Sequence, residues 1–427
     1  MVGSRGLNKS YFVQISDIHI APTDHEGHAT LELRSVPTAR RVIPAEDREY
    51  LVTLTEGHLT EAVREITALE LQPAFVLFTG DQTTCGTRAE IETFLEIIEP
   101  LRMPRYCNAA NHDLAATPEA FEELIGPRRV RFDHEGLRFF IMDEYRLLES
   151  GATRVWKALA SEEHYEWLRD GLRGWTGASV LVTHAPILPL GGGRYADVWD
   201  TPATGRFVEF LGETGIRWNI TGHWHRNMRW RLGEMTVINT GALGGFQCSG
   251  PPPFFLFAIR PGYRIFHWDG KELHSHWHNL RAWVEAEVTS VGGESVGGPR
   301  PQVHPAAASG RTDLRAQAYA PGGSIQAVEW ALGKEGWGAG RMSEVKVTPP
   351  GWQPMRLSWE GLWSEWEAEL DAGAFAPGSY VILTRAMRAG DTDWQGHDAV
   401  PVVVGEATTT GREGEQLFSL FRFPREG

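Results

Sequence analysis

Cysteine is scarce in this chain. Three occur in 427 residues, Cys85, Cys107 and Cys248. An odd number without paired spacing excludes a disulfide framework and a thiolate zinc site. Long apolar runs are missing too. Nowhere do about 20 apolar residues follow one another, so no membrane-spanning helix is expected. Positive charge is in deficit: Lys and Arg number 41 against 55 Asp and Glu, for a net charge of −14. That argues against a nucleic-acid polymer as partner, because phosphate backbones are bound by basic patches. A small phosphorylated substrate is not excluded, since metal ions can meet its charge locally. The opening "MVGSRGLNKSYFVQISD" holds an apolar stretch too short for a secretory signal. These deficits point to a reducing, cytoplasmic setting.

What is present is a regular alternation. "YFVQISD", "PAFVLFTGD", "RYCNAANHD", "RFFIMD", "SVLVTHAP" and "RWNITGHWH" each run apolar and then end in polar residues. Helical spacing fills the gaps over 50–71, 89–101 and 161–172. Strands alternating with helices indicate an α/β sheet, and ligands of such sheets bind beyond the carboxyl ends of the strands. After about Gly245 the pattern turns to strands joined by tight turns, expected to close the first domain as a sheet edge. Residues 281–312, rich in Gly, Pro, Ala and Ser, read as a linker. From Asp313 strand-like segments follow without a competing helix, which reads as an immunoglobulin-like β-sandwich. The expected organisation is an α/β domain over 8–280, a linker over 281–312 and a smaller all-β domain over 313–427.

The polar strand ends supply Asp17 and His19 ("SDIH"), Asp81 ("TGDQ"), Asn111, His112 and Asp113 ("ANHD"), His184 ("VTHAP"), and His223 and His225 ("TGHWH"). In extended backbone, residues i and i+2 project to one side, so Asp17 and His19 can reach one centre. Carboxylates with imidazoles suit first-row metals rather than calcium or a thiolate zinc site. Asp17, His19, Asp81, Asn111, His184, His223 and His225 are too many for one ion, and two ions sharing one carboxylate would use them all.

Taken in order, these blocks resemble the calcineurin-like metallophosphoesterases, whose signature runs D-x-H, G-D, G-N-H-D/E, H and G-H-x-H. The resemblance covers Asp17 to His225, and the motif set resembles the bacterial cyclic-nucleotide-type phosphodiesterases of that family. It implies a four-layer α/β sandwich with two divalent metal ions: manganese, iron, zinc or nickel, with manganese and iron favoured. One ion would take Asp17, His19, Asp81 and His225, the other Asp81, Asn111, His184 and His223. His112 would contact the phosphoryl group and protonate the leaving group, and Asp113 would orient His112 by a hydrogen bond. The implied activity is hydrolysis of a small phosphoester, diesters preferred. A phosphomonoesterase or nucleotide phosphatase is the near alternative, and a binding protein with a vestigial metal site the distant one.

Three features depart from the family pattern. Ala110 replaces the usual glycine before Asn111, and would be strained if it needed a positive φ. "GDQTTC" lacks the tyrosine of purple acid phosphatases. A long insertion follows His19 and is expected at the site mouth. Its His25 and His28 read as exposed loop histidines. His274, His276 and His278 read as one face of an edge strand, with a surface metal site the lesser reading. Trp224 should point into packing, Arg226 reads equally as a phosphate contact or a surface salt bridge, and Asp143 reads as structural. Substrate choice is assigned to the insertion and to "LPLGGGRYADVWD". The C-terminal domain is a candidate surface for homo-oligomerisation.

Overall fold

The computed structural model describes residues 11–20, 45–150, 153–158, 160–187, 189–191, 194–195, 201–225, 227–244, 261–295, 306–338 and 341–405. His25, His28, Arg226 and Cys248 lie outside them, as do most of the insertion after His19 and most of 188–200.

Two mixed sheets form the first domain. The strands are β1 (Tyr11–Ile15), β2 (Val76–Phe78), β3 (Arg105–Cys107), β4 (Val130–His134), β5 (Leu137–Ile141), β6 (Ala178–Val182), β7 (Trp218–Thr221), β8 (Met228–Leu232), β9 (Met235–Asn239), β10 (Gly262–Trp268) and β11 (Leu273–Asn279). One sheet runs β11-β10-β1-β2-β3 and the other β8-β9-β7-β6-β5-β4. β1, β2 and β3 are parallel, as are β5, β6, β7 and β9. Every residue of β1 and β2 is buried, which is why these strands read as unbroken apolar runs. Phe12, Leu77, Phe139, Val180, Ile220 and Phe266 fill the space between the sheets.

Helices α1 (Ala45–Ala68), α2 (Arg88–Ile98), α3 (Pro118–Leu124), α4 (Glu162–Leu172) and α5 (Thr201–Thr214) supply the outer layers. Leu59, Val63, Ile91 and Phe94 face one sheet, and Tyr165, Leu168 and Phe207 the other. The result is the four-layer α/β sandwich that the resemblance implied. α2 begins with a capping box in which Thr87 and Glu90 satisfy each other's backbone N–H groups. Among the described residues no helix is long and apolar enough to cross a membrane.

The stretch 281–312, expected to be a linker, differs in the structure. Glu285–Val291, Glu294–Ser295 and Ala306–Ala308 are strands. Val284, Ala286, Val288 and Val291 are buried in the second core. The alternation is short and lies among glycines, so composition concealed it.

The C-terminal strands form two sheets. Glu285–Val291, Arg311–Tyr319, Ser364–Asp371 and Arg356–Glu360 neighbour one another in one, and Gln395–Val404, Gly378–Arg388, Ile325–Gly338 and Arg341–Val347 in the other. Lettered along the chain these are A-B-E-D and G-F-C-C′, the immunoglobulin arrangement. Trp330 is buried on strand C. Tyr380 near the start of strand F donates to the Ala376 carbonyl at 2.9 Å, the corner that such sandwiches use.

Candidate metal centre

The carboxyl ends of β1 and β2 stay paired beyond the strands. The N–H groups of Asp17, Ile18, His19 and Ile20 donate to the carbonyls of Gly80, Asp81, Asp81 and Gln82 at 2.9–3.1 Å. This pairing sets Asp17 and His19 beside Asp81. From the second sheet, the Gly222 N–H donates to the His184 carbonyl and the His223 N–H to both Asp17 oxygens at 3.0 Å. The two sheets thus meet at their strand ends, over one small volume.

Within it, one ligand atom each from Asp17, His19, Asp81 and His225 lies within 4.8 Å of the others, and the same holds for Asp81, His184 and His223. Asp81 belongs to both groups. His19 Nε2 is 3.1 Å from His225 Nε2, and His223 Nδ1 is 3.2 Å from His184 Nε2. His184 Nε2 is 3.1 Å from Asp81 Oδ2, and His225 Nε2 is 3.2 Å from Asp17 Oδ1. Nitrogens bound to one cation at about 2.0–2.1 Å sit roughly 3 Å apart. Asn111 Oδ1 is buried and has no hydrogen-bond partner. A buried acceptor without a donor is costly unless an ion meets it. The donor set therefore fits divalent cations.

Backbone strain marks the same place. Asp17, His19, Asp81, His223 and His225 all have positive φ, between 51° and 73°, a region uncommon for residues other than glycine and kept where function requires it. Ala110 is not among the positive-φ residues, so the methyl group replacing the family glycine causes no backbone strain. It packs instead over Gly80, where an added Cβ would lie 2.7 Å from the Ala110 Cβ and 2.4 Å from His184 Nδ1.

Electrostatics follow from burial and crowding. Burial opposes a charge on His184, but Asp81 and Asp17 raise it to about 10. Burial depresses His19 and His223 to about 3, helped by neighbouring imidazoles. Asp81 is fully buried, which favours its neutral form, yet His184, His112 and His19 hold it well below the usual carboxylate range. The carbonyl of Thr79 accepts from His184 Nδ1 at 2.7 Å. A carbonyl can only accept, so Nδ1 carries a hydrogen and Nε2 faces the centre.

His112 stands beside this cluster, half-buried, its ring 4.8 Å from that of His19. Its N–H donates to Asp81 Oδ1 at 3.2 Å and its Nδ1 to the Thr84 carbonyl at 2.6 Å. The expected hydrogen bond between Asp113 and His112 is not formed. Asp113 turns inward and accepts from Asp81 N, Ala110 N, Thr83 N and Thr83 Oγ1 at 2.9–3.0 Å. Adjacent residues of a tight turn diverge, and three backbone N–H groups compete for the carboxylate. Burial and the charge of Asp81 push Asp113 up to about 7.

Other expectations sort cleanly. Trp224 packs against the main core. Asp143 is bound by Arg129, Arg146 and His164. His276 and His278 are buried against Glu285, inside the molecule rather than at a surface metal site. Sequence reading missed the Thr84 carbonyl and also Glu144, a buried carboxylate on the His184 backbone. No motif links either residue to its partner, which lies 28 or 40 positions away. An open groove of about 520 Å³ lies apart from this centre, in the β-sandwich. Its Arg315 and Arg356 pair with Glu367.

A 28% identical match over 136 residues joins the chain to the "Probable glycerophosphodiester phosphodiesterase GpdQ" of Arcobacter nitrofigilis, covering 30% of this chain and 48% of that protein. The chain thus spans about half the length of this curated relative. Among solved structures, the purple acid phosphatase PPD1 of yellow lupin aligns at 11% identity with a TM-score of 0.41, over 64% of this chain and 51% of its own. GAP50, the anchor in the inner membrane complex of Plasmodium, aligns at 10% identity with a TM-score of 0.37, over 64% and 89%. The pattern of the calcineurin-like phosphoesterases matches residues 10–227, more than half of the chain and the whole run of strand ends that carries the Asp81 cluster, and the protein belongs to that family.

Proposed function

We propose that the chain is a two-metal hydrolase of phosphoesters with a preference for diesters. The observation that carries this reading is the pair of ligand clusters sharing Asp81, with Asn111 Oδ1 unpartnered beside them. Asp17, His19, Asp81 and His225 would hold one cation, and Asp81, Asn111, His184 and His223 the other. Bound there, two divalent cations supply an activated water near neutral pH and neutralise phosphoryl oxygens. The protein's own residues do the rest. Ser16 Oγ donates to Asp17 Oδ2 at 2.6 Å and fixes that carboxylate. His112, with Nδ1–H spent on Thr84, offers Nε2 for proton transfer to the departing oxygen. An imidazole suits that task because its ordinary pKa lies near neutrality.

The diester preference draws support from the relative of Arcobacter nitrofigilis, whose name is that of a phosphodiesterase. Manganese or iron is our choice of metal, because imidazole and carboxylate donors without thiolates accept both. We place the domain boundary near Leu280 rather than at a long linker. We place the protein in the cytoplasm, in keeping with the free thiols Cys85 and Cys107.

The test is a rate comparison on manganese-loaded protein whose metal content is measured first. Two metals per chain and faster turnover of a bis-aryl phosphate than of the mono-aryl phosphate are expected. Turnover of the monoester alone would replace diester by monoester chemistry. Well under one metal per chain would leave the binding-protein reading in its place.

A further inference from the structure

Glu144 lies three residues past the end of β5, at the rim where the metal centre is built, yet no family motif includes it. It is completely buried. Its Oε1 accepts from the N–H of His184 at 2.6 Å and of Ala185 at 3.1 Å. Asn108, just past β3 in the other sheet, donates to Glu144 Oε2 at 3.4 Å and to the Met142 carbonyl at 2.8 Å. One carboxylate thus ties the ends of β3 and β5 to the turn after β6 that presents His184. The Thr79 carbonyl orients the ring of that histidine, and Glu144 holds its backbone.

An acceptor for two N–H groups could be a glutamine. A carboxylate in the same place is expensive, because burial opposes its charge and pushes it up to about 7, and the neighbouring His184 offsets only part of that cost. Among the described residues no Lys or Arg forms an ion pair with Glu144. The positive charge that would repay this burial is the one that His184 helps to bind. Resting on the metal-centre reading above, we propose that Glu144 is a positioning residue for the second cation. It fixes the His184–Ala185 turn and sets a negative charge behind it, so that the affinity of the Asp81–Asn111–His184–His223 site depends on it. The Asp17–His19–Asp81–His225 site, held by other strand ends, does not.

Glu144→Gln in the full chain tests this, because its Oε1 still accepts from His184 and Ala185 while the charge is removed and only the long Asn108 bond to Oε2 is given up. The readouts are stepwise Mn²⁺ binding by calorimetry and the spin-coupled signal of a manganese pair. The first equivalent should bind as in the wild type. The second should weaken about tenfold or more, the usual effect of losing such a supporting carboxylate, and the spin-coupled signal should disappear at limiting metal. Metal-free Glu144→Gln should melt no lower than the wild type. Glu144→Asp, which restores the charge, should recover much of the second affinity. An unchanged second equivalent overturns the inference while leaving the two-metal reading in place. Equal weakening of both equivalents with a lower metal-free melting temperature also overturns it, because Glu144 would then be general scaffolding. A wild type that never takes a second equivalent overturns the two-metal reading and this inference together.

Discussion

At the scale of single residues, His112 and Asp113 show how neighbours in one motif divide the work. His112 keeps its ring at the centre, held by the Thr84 carbonyl. Asp113 faces away and gathers the N–H groups of Asp81, Thr83 and Ala110. The motif was legible in the sequence; the division was not. A hydrogen bond to a main-chain carbonyl leaves no mark on residue choice, because any residue at position 84 supplies one. The division has a kinetic consequence. Replacing His112 by Asn leaves every assigned ligand in place, so metal content should not change. Turnover should fall by about 10²–10⁴-fold, the usual worth of a positioned acid. The fall should be far larger for an alkyl ester than for a p-nitrophenyl ester, because a stable leaving group needs little protonation. Measuring kcat on both esters checks this, and equal losses would remove His112 from the role of acid.

At the scale of elements, the site is a property of strand ends. β1, β2, β6 and β7 each place their proposed ligands within a few residues of the last paired position. The sequence displayed this plainly, since buried parallel strands read as apolar runs and the polar residues follow at once. The strand at Glu285–Val291 was not displayed, because its four buried positions lie next to a Gly-rich turn and the composition there suggests a linker. Steric closeness at the strand ends was not legible either. Gly222, after β7, approaches β1 so nearly that an added Cβ would stand 1.9 Å from Ser16 Oγ and 2.5 Å from Asp17 Oδ2. Both atoms belong to the support of the site proposed for the first cation. Gly222→Ala should therefore displace Asp17 and lower bound metal below two per chain, beyond an overpacking cost of about 1–3 kcal/mol. Adding Ser16→Ala removes the nearest clash and should restore part of the metal. Elemental analysis of the two variants decides the matter, and full occupancy in Gly222→Ala would show that the strand ends can move apart.

At the scale of the whole molecule, the two sandwiches are joined by a seam rather than a hinge. β11 turns His274, His276 and His278 toward the C-terminal sheets. His274 stacks on Trp359 at 5.2 Å and pairs with Glu365. Tyr319 and Trp363, from the β-sandwich, belong to the main core of the first domain. At the centre of the seam, Glu285 Oε2 meets His278 Nδ1 at 2.7 Å and His276 Nε2 at 3.4 Å, while Glu285 Oε1 accepts from Asn279. His278 Nε2 continues to Glu65 on α1 at 3.2 Å. Burial opposes the charge on His278, but Glu285 and Glu65 raise it to about 9. Burial likewise opposes the charge on Glu285, but His276 and His278 lower it to about 2. The signs define a window. A raised imidazole stabilises fully below its ordinary pKa of about 6.5 and loses that contribution as pH rises through 9. A depressed carboxylate stabilises fully above its ordinary pKa of about 4.3 and loses that contribution as pH falls through 2. The seam is therefore firmest between roughly pH 4.5 and 6.5, and the alkaline loss, counted once for the pair, is of the order of 3 kcal/mol. Thermal unfolding of the full chain should show a falling melting temperature from pH 6.5 to pH 10. Glu285→Gln should start lower and flatten that fall, because the imidazole then has less charge to keep. A wild-type profile already flat across this range would mean that the seam is held by its aromatic packing alone.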